Sequence, residues 1–156
     1  MGTLALPPGI ESLTLVITQE IHVRASIEKT FEAILEEIGP HNQGGPGPNP
    51  VPMPMKIEPW PGGRWFRDLG DNNGHLWGHV QAIKRPTLLE ICGPLFMSYA
   101  VTNNLQYRLS EENGGTLIRF QHKAFGVIQE DHRRGVSAGW QHLNSRIQSR
   151  AGERTK

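Results

Sequence analysis

Seven histidines are the first candidates for chemistry in this 156-residue chain: His22, His41, His75, His79, His122, His132 and His142. A metal centre needs three or four donors converging within about 2.0–2.2 Å of the ion. His75 and His79 lie four positions apart in a stretch of strand character, which separates their Cα atoms by about 13 Å. His132 and His142 lie ten apart in a helical stretch, about 15 Å along its axis. The single cysteine, Cys92, has no disulfide partner and builds no thiolate cage. Asp68 with Asp71-Asn72-Asn73-Gly74 lacks the alternate spacing and closing glutamate of a calcium loop, and Gly44-Gly45-Pro46-Gly47 lacks the Lys-Ser/Thr of a phosphate loop. No metal and no cofactor is expected.

His122 is the histidine of most interest. In the alternating run 116–125 it shares parity with Ile118 and Phe120, so it faces the covered side of a sheet. There it is either a hydrogen-bond partner or general base for a ligand, or a structural partner of a neighbouring strand or helix. Catalysis needs a second placed group. Glu90, flanked by Leu89 and Ile91, has the opposite parity and is expected in solvent, so no catalytic residue is assigned. The four Trp, two Tyr and four of the five Phe crowd residues 60–140. Trp65, Met97, Tyr99, Tyr107, Phe120, His122 and Trp140 are expected to line an apolar pocket with a few polar tips, the usual make-up of a small-molecule site. Phe96-Met97-Ser98-Tyr99, just after Gly93-Pro94, is expected at its mouth.

The elements that must position these residues are read from periodicity. Residues 13–24 alternate with dense β-branching, a strand of about ten residues. Ser26 caps a helix whose stripe is Ile27, Phe31, Ile34, Leu35 and Ile38, ended by Gly39-Pro40. Strand signals follow at 53–60, 63–69, 76–84, 87–92, 100–109 and 116–125. Hairpin turns are expected at Asp71-Asn72-Asn73-Gly74 and Glu112-Asn113-Gly114-Gly115, where Asn and Gly tolerate positive φ. Residues 129–150 form a long helix with a narrow stripe of Val136, Trp140, Leu143 and Ile147. The class is therefore α+β: an antiparallel meander covered by one helix, whose narrow stripe on a wide curved sheet leaves room for a cavity.

Composition bounds the rest. The length fits one domain, 1–156, with its core in 13–150. Sixteen Lys+Arg against fifteen Asp+Glu argue against a nucleic-acid partner. No apolar run reaches the roughly 18 residues of a membrane helix, and the first residues do not read as a secretory signal; a cytoplasmic protein without a membrane partner is expected. Gly and Pro fill 14 of the 25 positions 39–63 and are ordinary elsewhere. Residues 41–52 are expected to be an irregular flap close to any ligand, with 59–63 anchoring its return. A short edge strand near 53–60 leaves monomer and homodimer both open.

The order of these elements, with these residues, resembles the helix-grip fold of the START-like (SRPBCC) superfamily. More closely it is similar to the branch named after the activator of Hsp90 ATPase, the AHSA1-like proteins. The likeness rests on four stretches. They are the Ala25-Ser26-Ile27-Glu28-Lys29 helix entry with Phe31; Pro61-Gly62-Gly63-Arg64-Trp65; Gly78-His79-Val80-Gln81-Ala82-Ile83 with Pro86 and Leu89; and Gly115-Thr116 through His122 and Phe125, with Gly139-Trp140. The proline-rich run 46–61 departs from the family pattern. The resemblance implies a curved sheet of about six to seven strands wrapped on the C-terminal helix. Its leading functional implication is non-catalytic binding of a small apolar ligand. An Hsp90-activator-like module with a chaperone or other protein partner is the alternative, and a cyclase- or hydrolase-like enzyme using His122 with a tyrosine comes third.

Overall fold

The computed structural model describes residues 9–44 and 49–153. The N-terminal segment read as lacking a signal, and the middle of the Gly/Pro loop, lie outside the described residues. A 3-10 turn, Ile10–Leu13, leads into β1, Thr14–Val23. Ile17 and Val23 turn inward and are buried, as the alternation requires. The Ser26 hydroxyl accepts the Lys29 backbone N–H at 3.2 Å and caps α1, Ile27–Ile38. The predicted stripe, Ile27, Phe31, Ile34, Leu35 and Ile38, is its buried face. The helix ends at Gly39, and only glycine fits there: a Cβ would lie 2.5 Å from the Leu35 carbonyl oxygen.

The chain then runs through β2, Gln43–Gly44; β3, Val51–Pro52; β4, Lys56–Ile57; β5, Arg64–Gly70; β6, Asn73–Lys84; β7, Leu88–Gly93; β8, Val101–Glu112; and β9, Gly115–Gly126. Seven strands form one sheet in the order β1-β9-β8-β7-β6-β5-β4, with every neighbouring pair antiparallel. Both hairpin turns fall where expected. Asp71 and Asn72 have φ of 53° and 62°, and Asn113 and Gly114 have 49° and 81°, the paired positive values of a turn whose twist matches the strands it joins. The final helix, α2, spans Glu130–Glu153 and packs chiefly on α1 and β1. Val136, Trp140, Leu143 and Ile147 are its buried stripe, extended by Ala151. None of the described helices is long and apolar enough to cross a membrane.

Two expectations need correction. The strand read at 53–60 is reduced to Lys56–Ile57, paired with Phe66 and Trp65; Pro54 and Pro59 lack the N–H that would extend the ladder on either side. The flap 41–52 is less irregular than its composition implies, because Gln43–Gly44 pairs with Val51–Pro52. Asn42, 3% exposed, braces that ribbon: its side chain donates to the Met53 carbonyl at 3.1 Å, and its own carbonyl accepts the Met53 N–H at 2.8 Å. The return at 59–63 is anchored by Gly62 N–H to the Val80 carbonyl and Val80 N–H to the Gly63 carbonyl, both 2.8 Å. Beside it, Glu58 takes a bidentate bond from the Arg64 guanidinium, which holds its carboxyl down at about 2.

Candidate functional site

The helix covers only part of the sheet. α2 rests on the β1 side, and toward β5 and β6 a cleft of about 1250 Å³ opens beneath it. Trp65 of β5, Trp77 of β6 and Phe96 of the β7–β8 connection form one wall. The facing wall is α2 itself, where Gly135, Ala138 and Gly139 alternate with Val136, Trp140 and Leu143. The ribbon β2–β3 closes one end through Gly44 and Pro50, so the Gly/Pro loop does border the cleft. The space exists because the helix offers almost no side chain there: a Cβ built at Gly135 or Gly139 meets nothing within 4 Å.

The aromatic wall is a chain of edge contacts. Trp65 and Trp77 meet at 5.1 Å and 77°, Trp77 and Phe96 at 5.8 Å and 66°. Each indole N–H is already engaged. Trp65 donates to the Ile38 carbonyl at 2.8 Å, Trp77 to His75 Nδ1 at 3.2 Å and Trp140 to His122 Nδ1 at 2.9 Å. With their N–H groups engaged, what the rings offer the cleft is apolar, and it is a narrow strip: Trp65 is 1%, Trp140 5% and Trp77 8% exposed. At the far end Glu37, with a side chain only 5% exposed, binds Arg146 at 3.3 Å and Arg150 at 3.0 Å. This ties α1 to α2 and makes that end polar.

The expected site residues divide. Trp65 and Trp140 line the cleft. Tyr99 is half-buried at its rim: its hydroxyl accepts the Gln129 N–H at 3.2 Å, and its ring stacks on His132 at 5.6 Å. Met97, Tyr107, Phe120 and His122 are enclosed in the core behind the cleft. Tyr107 donates to Asn144 Oδ1 at 2.8 Å, and Asn144 donates in turn to Gln19 at 2.8 Å, linking β8, α2 and β1. Burial drives the Tyr107 hydroxyl far above the usual phenol range.

His122 resolves the pair of roles left open for it. Because an indole nitrogen can only donate, Nδ1 is the acceptor and Nε2 carries the proton, donated to Asn103 Oδ1 at 2.6 Å. Asn103 passes the link on to the Gly93 and Pro94 carbonyls, each at 3.1 Å. Neither ring nitrogen is free for a ligand, and burial lowers the imidazole to about 4, so the ring is a neutral strut between β9, β8 and α2. Glu90 is half-buried rather than free in solvent, accepting a bond from Gln106 at 2.7 Å.

Sequence reasoning placed Phe96 near a pocket mouth but left Trp77, Phe96 and His132 out of the lining. A signal for Trp77 lay in its spacing: two positions beyond His75, its ring partner, and on the strand that follows Trp65 across a tight turn. No group of three or more His, Cys, Asp or Glu among the described residues could hold a metal. A second depression of about 510 Å³ lies on the outer face of the sheet among Gln106, Arg108 and Arg119, with no apolar wall comparable to the first.

No protein-family model matches the sequence, and no curated protein matches it. Solved structures do. Protein MLL2253 from Mesorhizobium loti superposes with a TM-score of 0.68 at 17% identity, covering 91% of this chain and 99% of its own. The di-domain ARO/CYC StfQ of the steffimycin biosynthetic pathway gives 0.60 at 11% identity, covering 94% of this chain and 54% of its own. Ara h 8.0201 gives 0.61 at 14%, covering 87% and 96%. With a long terminal helix held against a curved antiparallel sheet, the chain has the α+β helix-grip fold.

Proposed function

We propose that this chain is a non-catalytic helix-grip domain of the AHSA1-like kind that holds one small, largely apolar molecule in the cleft under α2. The observation that carries the reading is the cleft itself: about 1250 Å³, with an indole wall on one side and glycine backbone on the other. An apolar molecule seated there leaves water on both faces, at roughly 25 cal/mol for each Å² of apolar surface removed. A flat ring system fits this shape, because Gly135 and Gly139 let it approach the helix axis closely. The contact set is Trp65, Trp77, Phe96 and Trp140, with Met53 and Leu143 toward the polar end. Enclosure of His122, with both ring nitrogens engaged, supports binding over turnover.

Gly139 separates binding from folding. In mid-helix a glycine costs about 0.5–1 kcal/mol relative to alanine, and nothing obstructs a side chain here. Gly139→Ala is expected to raise stability by about that amount in urea unfolding. Gly139→Phe is expected to remain folded while its ring fills the cleft, weakening binding of 9-fluorenone at least tenfold when followed by quenching of tryptophan fluorescence. Quenching that is absent in the wild type, or equally saturable in both proteins, would refute the reading.

A further inference from the structure

At the Phe96 end of the cleft one polar group is held ready and unused. His132, in the first turn of α2, lies edge-on to Phe96 at 5.2 Å and face to face with Tyr99 at 5.6 Å and 13°. Tyr99 Oη lies 2.9 Å from His132 Nδ1. The same oxygen already accepts the Gln129 N–H, so its own hydrogen is free to go to Nδ1. In the neutral ring the proton then sits on Nε2. No protein group among the described residues bonds Nε2, yet no buried side-chain nitrogen or oxygen among them is without a partner. Nε2 therefore opens outward, and His132 lines the cleft. The segment is well fixed: the neighbouring Arg133 donates to the Thr14 and Ser12 carbonyls, both at 2.8 Å.

The indole donors near this end are taken, and His142, which also lines the cleft, stands ten positions further along α2, about 15 Å away along the helix axis. Trp77 gives its N–H to His75 and Trp140 gives its N–H to His122. Asp131, which also lines the cleft, offers only acceptors when ionised. The Arg146 and Arg150 guanidinia stand fourteen and eighteen positions further along α2, about 21 and 27 Å away along the helix axis. What this end offers is thus one oriented N–H beside apolar ring faces. Its complement is an oxygen acceptor on a flat apolar skeleton.

We propose that His132, oriented by Tyr99, is the specificity-determining donor of the cleft, selecting aromatic ring compounds that carry a carbonyl oxygen over the same skeleton without one. This rests on the cleft being the binding site, and it adds which molecules are preferred and why. Tyr99 is a positioning residue: it holds the proton on the nitrogen that faces the ligand and makes no contact with the ligand.

The test uses two probes of matched shape, 9-fluorenone and fluorene, titrated into the full chain by tryptophan fluorescence. The wild type should bind fluorenone about 3- to 10-fold more tightly, the ratio one added hydrogen bond supplies. His132→Leu should bring the ratio to about one. Tyr99→Phe should reduce it, because the ring can then place its proton on either nitrogen; a purely structural role for the hydroxyl would move both affinities together. A ratio that survives in His132→Leu, or a wild-type ratio of one, overturns the assignment and leaves the cleft standing. Binding of neither probe overturns the cleft reading as well.

Discussion

Trp140→Ala is expected to destabilise the protein by about 4 kcal/mol, the range found when a large buried aromatic is cut to a methyl group. Trp140 is 5% exposed and makes ring contacts with Phe120 at 5.0 Å and His122 at 5.5 Å. Truncation removes this packing of α2 on Phe120 and His122 of β9. It also removes the donor to His122 Nδ1, leaving a buried acceptor without a partner, itself worth about 1–3 kcal/mol. Trp140→Phe separates the two losses: it retains most of the ring volume, strands the same nitrogen, and should fall between the wild type and Trp140→Ala. The check is urea unfolding with an unchanged slope, so that the shift of midpoint reads stability directly. A loss under about 1 kcal/mol for Trp140→Ala would mean that the helix is not keyed into the sheet by this side chain.

The second large effect is a pH dependence carried by His122. Its imidazole titrates at about 4 in the native protein because burial disfavours the charged ring, against the ordinary 6.5 expected when unfolded. Between those values the unfolded chain binds a proton that the native chain does not. Stability contributed by the neutral ring is therefore complete above about pH 6.5 and is lost as pH falls toward 4. At 1.36 kcal/mol per pH unit the full window is worth about 3 kcal/mol. Glu58 and Asp68, both lowered by their cation partners Arg64 and Lys56, also lose stability on acidification. Their windows lie below the ordinary carboxyl values of 4.5 and 3.8, beneath most of the histidine window. His122→Gln keeps a donor and an acceptor but does not titrate. The wild type should lose stability more steeply than this variant between pH 6.5 and 4.5; parallel curves would show that the ring is not held neutral by the fold.

Much of the architecture was legible because it depends on local rules. Asn113-Gly114 and Asp71-Asn72 tolerate positive φ, so both hairpins could be placed from the chain alone. Strand parity set His122 inward, and it is buried. The stripe Val136-Trp140-Leu143-Ile147 announced which side of α2 meets the sheet. The Gly/Pro run misled because composition speaks to propensity, whereas Asn42 supplies a buried side-chain bond that lets Gln43–Gly44 pair with Val51–Pro52.

The candidate site was harder to read, for a geometric reason. Inward parity does not distinguish a side chain under the helix from one beside it. Tyr107, Phe120 and His122 point inward on β8 and β9 and are covered by α2; Trp65 and Trp77 point inward on β5 and β6, where the cover ends. Which half the helix covers is set by its packing on α1 and β1, including the grip of Glu37 on Arg146 and Arg150, contacts of more than a hundred positions in separation. The Tyr99–His132 pair is hidden in the same way, since 33 positions separate its members.

The most direct test of the cleft as a binding site is a two-dimensional proton–nitrogen NMR titration of the full chain with 9-fluorenone, reading the four tryptophan indole signals. Trp65, Trp77 and Trp140 line the cleft, while Trp60, 55% exposed, is not part of its lining and serves as an internal control. The predicted result is saturable movement of the three cleft indoles with Trp60 unmoved. Cleft indoles that stay in place at saturating probe, or movement confined to Trp60, would contradict it.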